Sequence, residues 1–307
     1  MTYGEILQEA FQKLNTRYPE GTKYSEGKNK IRNPHLEAEI LLSKIIQKPR
    51  EYILTHKEKK IDLVNKLRYN YLIYKRINNY PLAYLIKEKY FYGYKFKVNK
   101  NTLIPRPETE MIIDEILNII KNTPKKQYLL MDLGTGSGCI IISALREIKK
   151  INSLKNIQAK AIDISQKALK IAFLNAKNHR LEKQIQFFKA NLLNFSVNDK
   201  TEKKSNLIIS ANLPYLKLNQ LKHFSIKHEP FLALYGGSNG LDYYLELLKQ
   251  IKDIQNKYKK INLFMEIDPS QKKDISSLIL EIHPHAKIEI KKDLRGLFRL
   301  VCVEFNS

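Results

Sequence analysis

The feature that most constrains the fold is an alternation of short apolar runs with helical patterns, which begins after Pro124. Strands are predicted at residues 128–131, 159–162, 184–188, 207–211 and 261–265. Helices are predicted at residues 139–148, 241–254 and 272–282, and an antiparallel hairpin is predicted to pair residues 287–290 with 298–305. Strands that alternate with helices indicate an α/β fold, in which a largely parallel sheet carries helices on both faces.

The N-terminal part of the chain has the spacing of amphipathic helices and shows no catalytic constellation. The first helix is indicated by apolar residues that recur every three or four positions, namely Ile6, Leu7, Ala10, Phe11 and Leu14. After a predicted loop at residues 18–33, a second helix begins at Pro34 and stops before Pro49, and a third pattern crosses residues 61–73. We therefore predict a small helical bundle at residues 1–80 that serves docking of a partner.

Between the helical part and the α/β part, the apolar period changes to two. The alternating residues flank Gly93 and are Tyr90, Tyr92, Tyr94 and Phe96, which predicts a β-ribbon. We predict a β-ribbon connector at residues 81–101 and the α/β domain at residues 102–307. Near the start of that domain, two prolines flank Arg106 and stiffen the loop that aims its guanidinium, and Thr109 is predicted to cap the following helix.

Length and composition fit a globular chain of two domains. Of its 307 residues, 43% are hydrophobic and 28% are charged, and no apolar run is long enough to span a bilayer. Cys139 and Cys302 lie far apart among apolar neighbours, so we expect buried thiols in the reducing cytoplasm. The formal charge of +23 leaves two interpretations open, a nucleic-acid contact or a generally basic surface that reflects AT-rich codons.

A glycine-rich turn, Asp132-Leu133-Gly134-Thr135-Gly136-Ser137-Gly138, follows the first strand of the α/β part. Its glycines let the backbone approach a ligand closely, but their spacing departs from the dinucleotide fingerprint. Asp132 suits a ligand that carries an ammonium or a sulfonium, and Asp163, at the next strand end, can accept both hydroxyls of a ribose. Together they describe an S-adenosylmethionine site better than an NAD site. An ordinary strand–helix turn with a coincidental Asp is the alternative.

Asn212-Leu213-Pro214-Tyr215 follows the predicted strand at residues 207–211 and forms a second candidate site. Because Pro214 cannot extend a strand ladder, the segment marks a strand end that opens into a loop. The Asn212 side-chain oxygen and the Leu213 carbonyl are acceptors that could converge on one planar –NH₂ group, beside the Tyr215 ring. Taken alone, the segment could be an ordinary Asx-turn. Beside a methyl donor, it predicts methyl transfer to an amine or amide nitrogen, achieved by positioning and without a strong base.

Over nearly its full length the chain resembles the release-factor glutamine methyltransferase (PrmC/HemK) family. The segments that carry the resemblance are residues 33–42, 103–110, 132–138, 212–215, 229–237 with 240–242, and 293–299. The resemblance implies a helical bundle followed by a Rossmann-like, seven-stranded class I S-adenosylmethionine-dependent methyltransferase domain. It also implies S-adenosylmethionine as donor, S-adenosylhomocysteine as product, and the glutamine of the Gly-Gly-Gln loop of class I peptide chain release factors as substrate.

The resemblance extends to single residues. The implied catalytic residues are Asn212, Leu213, Pro214 and Tyr215. The implied donor-binding residues are Arg106, Asp132, Gly134, Thr135, Gly136, Ser137, Gly138, Asp163, Asn191, Leu192 and Asn212, and no metal is expected. Three features depart from the family pattern: Leu213 replaces the first proline of the usual N-P-P-Y, Asn191 replaces a frequent Asp near the adenine, and Lys87 and Asp268 occupy usual glycine positions.

Two other functions stay open at this point. Asn212-Leu213-Pro214-Tyr215 is similar to the motif of rRNA adenine dimethyltransferases, but those enzymes carry their extra helical domain after the methyltransferase core, and residues 103–110 would be unexplained. A non-catalytic, ribosome-associated binding module is the third interpretation, and the intact Asp132, Asp163 and Asn212 argue against it. We expect a monomeric cytoplasmic enzyme without membrane contact, whose basic surface leaves a weak contact with RNA or the ribosome open.

Overall fold

The computed structural model describes residues 1–16, 33–151, 154–195, 205–222 and 226–306. The chain forms two compact units, Met1–Glu88 with Lys222–His228, and Lys89–Leu221 with Glu229–Ser307. The domain boundaries that we predict after residues 80 and 101 stay predictions. The loop predicted at residues 18–33 lies, except for Asn33, outside the described residues. No helix in the described ranges has both the length and the apolar character needed to cross a membrane.

The first unit is helical, as the apolar spacing predicts. Its helices are α1 (Tyr3–Thr16), α2 (Pro34–Ile46), α3 (Arg50–Thr55), α4 (Leu63–Ile77) and α5 (Leu82–Ile86). Residues from both predicted apolar faces meet in one core, among them Ile6, Leu14, Leu41 and Leu42. Pro34 opens α2 because its fixed backbone angle suits the first helical turn, and the Asn33 side chain accepts a hydrogen bond from the N–H of Leu36 at 3.0 Å.

Two details of this unit differ from the prediction. Helix α4 begins at Leu63 instead of Ile61, because the Asp62 side chain caps it by accepting from the N–H of Asn65 at 2.9 Å. Helices α3 and α5 are six and five residues long. Such short helices contain little more than one turn, so periodicity alone does not reveal them.

The predicted β-ribbon is present as a two-stranded hairpin of β1 (Glu88–Phe91) and β2 (Tyr94–Lys97). Its turn residues Tyr92 and Gly93 have φ angles of 49° and 73°, a left-handed conformation that glycine adopts readily. Phe91 and Phe96 are buried in the core of the second unit. The ribbon is therefore fixed to the α/β part through two aromatic side chains, while its task as a connector stays a prediction.

The second unit contains a seven-stranded sheet, which confirms the predicted α/β fold. Its strands are β3 (Tyr128–Leu133), β4 (Ile157–Asp163), β5 (Ile185–Lys189), β6 (Asn206–Ala211), β7 (Lys260–Glu266), β8 (Lys287–Lys292) and β9 (Phe298–Asn306). Their spatial order is β5-β4-β3-β6-β7-β9-β8. Strands β3 to β7 run parallel, and β9 pairs antiparallel with both β7 and β8.

The strand order creates the place where a ligand can bind. From β3 the chain moves outward through β4 to β5, and it then returns to β6 on the other side of β3. At such a reversal the loops that leave two neighbouring strands diverge, and a crevice opens between them. The loops after β3 and β6 carry the two candidate sites that the sequence indicates.

Helices cover both faces of the sheet, as predicted. They are α6 (Glu110–Asn122), α7 (Cys139–Ile151), α8 (Gln166–Asn178), α9 (Asp242–Ile254) and α10 (Lys272–Ile282). Alternate residues of β3 contribute to two separate cores, Leu130 to the core with α6 and α7, and Leu129 and Met131 to the core with α9 and α10. This alternation follows from the two-residue period of a strand that is buried on both sides. Cys139 is buried and Cys302 half-buried, and both are free thiols.

One predicted cap is wrong. The Thr109 side chain makes no capping bond to α6, which is preceded by a 3₁₀ turn at Pro107–Thr109. The hydroxyl of Thr109 donates instead to the carboxylate of Glu266, at the end of β7. Thr109 also has helical backbone angles, φ −66° and ψ −20°, whereas a capping residue has non-helical angles that let its side-chain oxygen accept from the first free N–H groups.

Candidate active site

A cavity of about 320 Å³ opens at the carboxyl ends of the parallel strands. Four strand-end loops contribute to its wall, and the segments near residues 100–105 and 230–233 complete it. The predicted site residues that line it are Gly134, Thr135, Gly136, Ser137, Asp163, Asn191, Leu192, Asn212, Leu213 and Pro214. The structure thus brings most of the predicted residues together in one cavity, of the size that small-molecule ligands occupy (about 300–1,000 Å³).

The glycine-rich turn is fixed to the neighbouring strand end. Gly134, Gly136 and Gly138 have φ angles of 65°, 55° and 78°, so the turn needs residues that tolerate a left-handed backbone. The N–H of Gly136 donates to Asp163 Oδ2 at 2.9 Å. Gly138 does not line the cavity; a Cβ there would lie 2.9 Å from Ile142 Cδ1 and 3.2 Å from Ala172 Cβ. It serves helix packing below the turn.

Asp132 lies beneath the turn and does not line the cavity. Its carboxylate is fully buried and accepts from the Thr135 hydroxyl at 2.6 Å and from the Ser210 hydroxyl at 2.8 Å. Burial raises the pKa of Asp132 to about 6, although the two hydroxyl bonds lower it. At neutral pH the carboxylate is mainly ionised, so it provides a negative charge behind the turn. A direct contact of Asp132 with a ligand stays a prediction.

Asp163 presents acceptors to the cavity from the end of β4. Its Oδ1 accepts from the N–H of Ser165 at 2.8 Å, and its Oδ2 accepts from the N–H of Gly136. Each carboxylate oxygen can accept more than one hydrogen bond, so both keep capacity for a ligand. Burial raises the pKa of Asp163, and the two backbone bonds lower it. The Ser165 side chain caps α8 by accepting from the N–H of Ala168 at 3.2 Å.

Asn191 and Leu192 line the cavity at the end of β5. The Asn191 Nδ2 donates to Glu246 Oε1 at 2.8 Å, which fixes the orientation of the amide and leaves Oδ1 on the other side. Leu192 adopts a φ of 52°, a left-handed conformation that is rare for leucine. Glu246 on α9 is a site residue that the sequence does not indicate, because it sits in the middle of an amphipathic helix.

The Asn212 amide is held by two acceptors. Its Nδ2 donates to Thr109 Oγ1 at 3.1 Å and to Glu266 Oε2 at 3.1 Å. Among the described residues no donor contacts Asn212 Oδ1, and Asn212 lines the cavity. The oxygen is therefore the acceptor that this side chain offers to a ligand. The neighbouring Leu213 is buried, and its side chain packs against Gly134, which joins the two candidate sites.

Tyr215 does not line the cavity, and its hydroxyl donates to Glu266 Oε1 at 2.9 Å. Burial and the nearby Glu266 carboxylate raise the pKa of Tyr215 well above its usual value. Burial also raises the pKa of Glu266, while its bonds to Thr109 and Tyr215 lower it. Glu266 is a second residue that the sequence analysis misses. The pattern that indicates Asn212 also applies to Glu266, because each is a polar residue that directly follows a buried apolar run.

Arg106 does not line the cavity, and its role in donor binding stays a prediction. It donates to Glu229 Oε1 and forms an ion pair with that carboxylate, whose side chain is fully buried. Glu229 Oε2 accepts in addition from the N–H of Ile104 at 3.1 Å. The ion pair ties residues 103–110 to the segment that follows Glu229. Arg106 therefore holds two cavity walls together, because a buried carboxylate needs a positive partner.

The loop after β6 is also held by tightly packed backbone. The N–H of Leu216 donates to the carbonyl of Leu234, and the N–H of Gly236 donates to the carbonyl of Leu216, both at 2.9 Å. A Cβ on Gly236 would lie 2.4 Å from the carbonyl oxygen of Pro214. Only glycine allows this approach, so residues 229–237 and 212–215 form one structural unit.

Known proteins match both parts of the chain. Residues 5–86 match the family model of the PrmC N-terminal domain, and residues 107–222 match that of ribosomal protein L11 methyltransferase (PrmA). A protein named release factor glutamine methyltransferase from Bacillus anthracis is 32% identical over 272 residues, which covers 87% of this chain and 92% of that protein. A protein of the same name from Mycoplasma mycoides subsp. mycoides is 34% identical over 285 residues, covering 90% and 96%.

Solved structures support the fold. The human hMettl16 catalytic domain matches with a TM-score of 0.53 over 92% of this chain and 94% of that chain, at 12% sequence identity. At 12% identity the match supports the fold and gives no information about substrates. The two bacterial relatives also support membership of a family, because the sequence identity with them extends through both the helical and the α/β parts. The chain therefore belongs to the release factor glutamine methyltransferase family, as its motifs indicate.

Proposed function

We propose that this protein transfers the methyl group of S-adenosylmethionine to the side-chain amide nitrogen of the glutamine in the Gly-Gly-Gln loop of class I peptide chain release factors. The observation that carries the proposal is the orientation of Asn212. Its Nδ2 is occupied by Thr109 and Glu266, and its oxygen is left as an acceptor in a cavity walled by the glycine-rich turn.

The donor half of the cavity fits an adenosyl ligand. The Asp163 carboxylate retains acceptor capacity for two ribose hydroxyls, and the oriented Asn191 oxygen can accept from the adenine amino group. The buried Asp132 puts a negative charge behind the glycine-rich turn, which favours a positively charged ligand end. When bound, S-adenosylmethionine supplies a methyl group on a positively charged sulfur.

The acceptor half fits a primary amide. A glutamine –NH₂ has two hydrogens, and the Asn212 oxygen and the Leu213 carbonyl are two acceptors on adjacent residues of one loop. Binding both hydrogens fixes the plane of the amide and the direction of its nitrogen. Because the amide nitrogen is a weak nucleophile, alignment is the main contribution that the protein can make, and positioning can supply up to about 7–11 kcal/mol.

The proposed reaction needs no strong base. The amide proton becomes acidic only as the new N–C bond forms, so a neutral acceptor is sufficient. Tyr215 is unsuited to the role of base, since its hydroxyl donates to Glu266 and its pKa is raised. Asn212 is a suitable acceptor because an amide stays neutral and keeps its hydrogen-bonding character across the physiological pH range.

We further propose that the helical unit recognises the release factor and that the enzyme works as a monomer in the cytoplasm. Residues 5–86 match the family model of the PrmC N-terminal domain. None of these residues lines the cavity, whose lining begins at Lys100, so a role in recognising the substrate protein suits the helical unit better than a role in binding the donor.

The test is methyl transfer from labelled S-adenosylmethionine by the purified full chain. The substrates are an intact class I release factor, the same factor with the Gly-Gly-Gln glutamine replaced by alanine, and ribosomal RNA. We expect label on the intact factor alone. Label on both factors would exclude this glutamine as the acceptor. Label on RNA alone would overturn the proposal in favour of an adenine N6-methyltransferase, for which the charge of +23 is the supporting observation.

A further inference from the structure

Glu266 is a buried carboxylate next to the site, and it does not line the cavity. It ends β7, which pairs with β6 so that Met265 lies opposite Ala211, and Asn212 follows directly. Its side chain accepts from the hydroxyl of Thr109, from Asn212 Nδ2 and from the hydroxyl of Tyr215. Within the described ranges, no Lys or Arg forms an ion pair with it. The charge of Arg299 lowers the pKa of Glu266, but the ion pair of Arg299 is with Asp293. A buried carboxylate without a direct ion pair is costly, so its presence calls for a function.

The hydrogen bonds to Glu266 determine which atoms donate and which accept around the Asn212 amide. A carboxylate can only accept, so the Thr109 hydroxyl must donate to Glu266. The oxygen of that hydroxyl is then available as an acceptor for Asn212 Nδ2. Both neighbours of the Asn212 amide therefore accept, and the amide can satisfy them only by turning its –NH₂ toward them. Its oxygen must then face the other way.

We propose that Glu266 is the positioning residue that fixes the Asn212 amide with its oxygen available to the substrate, so that the site selects a substrate group that donates N–H. This deepens the proposed function and rests on it. Without Glu266, the amide could rotate by half a turn and present –NH₂ to an incoming –NH₂ group. Two donors would then face each other, and the substrate nitrogen would lose its alignment.

Two substitutions of Glu266 separate positioning from a purely structural role. Glu266→Gln keeps the volume but brings one –NH₂ into the cluster, which permits either orientation of Asn212. Glu266→Leu removes both carboxylate oxygens and leaves the Thr109 hydroxyl beside the amide, and that hydroxyl is then free to donate to Asn212 as well as to accept from it. We expect kcat to fall about tenfold in Glu266→Gln, which keeps one acceptor oxygen. In Glu266→Leu we expect a fall of about 10²-fold, the lower end of the range for loss of one positioned hydrogen-bonding group.

Two further readouts are the affinity for the donor and the thermal stability. The Kd of S-adenosylmethionine should stay within about twofold of the wild-type value, because Glu266 touches no part of the proposed donor half. Thermal unfolding of Glu266→Leu is expected at a lower temperature, because the buried Thr109 and Tyr215 hydroxyls lose their acceptor, whereas Glu266→Gln keeps one acceptor oxygen and should lose less stability. A purely structural role predicts in addition a weaker binding of the donor and a kcat loss that follows the loss of stability in both variants.

The decisive measurement is a double-mutant cycle with Asn212→Ala. If Glu266 acts through Asn212, then Glu266→Gln should lower kcat no further in the Asn212→Ala protein, within about twofold. Losses that multiply in the double variant, or a wild-type kcat for both single Glu266 variants, would overturn the inference. Failure of the proposed function is seen separately, as absence of label on release factor with wild-type protein. The same cycle is then run on the RNA that accepts label, since an adenine amino group is also a planar –NH₂.

Discussion

Replacing Asp163 by alanine should weaken the binding of S-adenosylmethionine by about 10²-fold. The carboxylate is 8% exposed, and each of its oxygens already accepts one backbone N–H, from Ser165 or from Gly136. The remaining capacity matches the two hydroxyls of a ribose. Charge-assisted hydrogen bonds of this kind are worth about 1.5–3 kcal/mol each, so the loss of two costs at least about 3 kcal/mol, which corresponds to about 10²-fold in Kd.

The substitution also removes acceptors from two backbone N–H groups, so a general loss of stability must be separated from a loss of donor contacts. Asp293→Ala is the matched control. Asp293 Oδ1 accepts from the N–H of Arg295 at 2.9 Å and from the N–H of Leu297 at 3.0 Å, in a turn that does not line the cavity. Both variants should therefore unfold at lower temperature, whereas only Asp163→Ala should lose affinity for the donor.

Isothermal titration calorimetry with S-adenosylmethionine and S-adenosylhomocysteine measures the effect directly. Both ligands carry the ribose, so both should be affected to a similar extent by Asp163→Ala. A Kd within about threefold of the wild-type value would refute the assignment of the β4 end to the ribose. An equal loss of affinity in Asp293→Ala would show that the effect reflects stability and not contact.

Three further outcomes are expected. Asn212→Ala should lower kcat by about 10²–10³-fold, because it removes an acceptor that aligns the substrate, and it should change the Kd of the donor little. A variant that stays active in single-turnover assays would contradict this. Leu213→Pro should keep kcat within about tenfold, since the carbonyl stays. It should lose about 1–2 kcal/mol of stability in chemical denaturation, because the larger leucine side chain is buried. Asp132 has a pKa of about 6 in the fold, against an ordinary value of 3.8, so folding favours its protonated form. Lowering the pH from about 7.5 to about 5 should therefore stabilise the wild type relative to Asp132→Asn by roughly 1–1.5 kcal/mol, and an unchanged difference in unfolding free energy would show that the pKa is not raised.

The sequence can place residues together at one edge of the sheet through one geometric rule. Asp163 and Asn212 each follow a short apolar run, and parallel strands end at a common edge of the sheet. Residues that follow such runs therefore meet even when they are far apart in the chain. The same rule would have indicated Glu266, which directly follows the run at residues 261–265. It was missed because a lone glutamate carries no motif.

The part that the sequence does not predict depends on which way individual side chains point. Arg106 lies in a conspicuous motif, but the partner that decides its role, Glu229, is 123 positions further along the chain. Asp132 and Gly138 belong to the glycine-rich turn, but one lies beneath it and the other packs against α8. No local pattern distinguishes a residue that faces a cavity from a neighbour that supports it, because both positions demand the same residue type.

The choice of asparagine at two positions of the site follows from the carboxylates beside them. Asn191 Nδ2 donates to Glu246 at 2.8 Å, and Asn212 Nδ2 donates to Glu266 at 3.1 Å. An aspartate at either position would bring two carboxylates together, and one of them would have to hold a proton at neutral pH. The Asp that the family often has near the adenine would therefore conflict with Glu246 in this chain, and Asn191 resolves the conflict. At position 212 the same reasoning makes a neutral amide the side chain that can accept from a substrate –NH₂ while it donates to a buried carboxylate behind it.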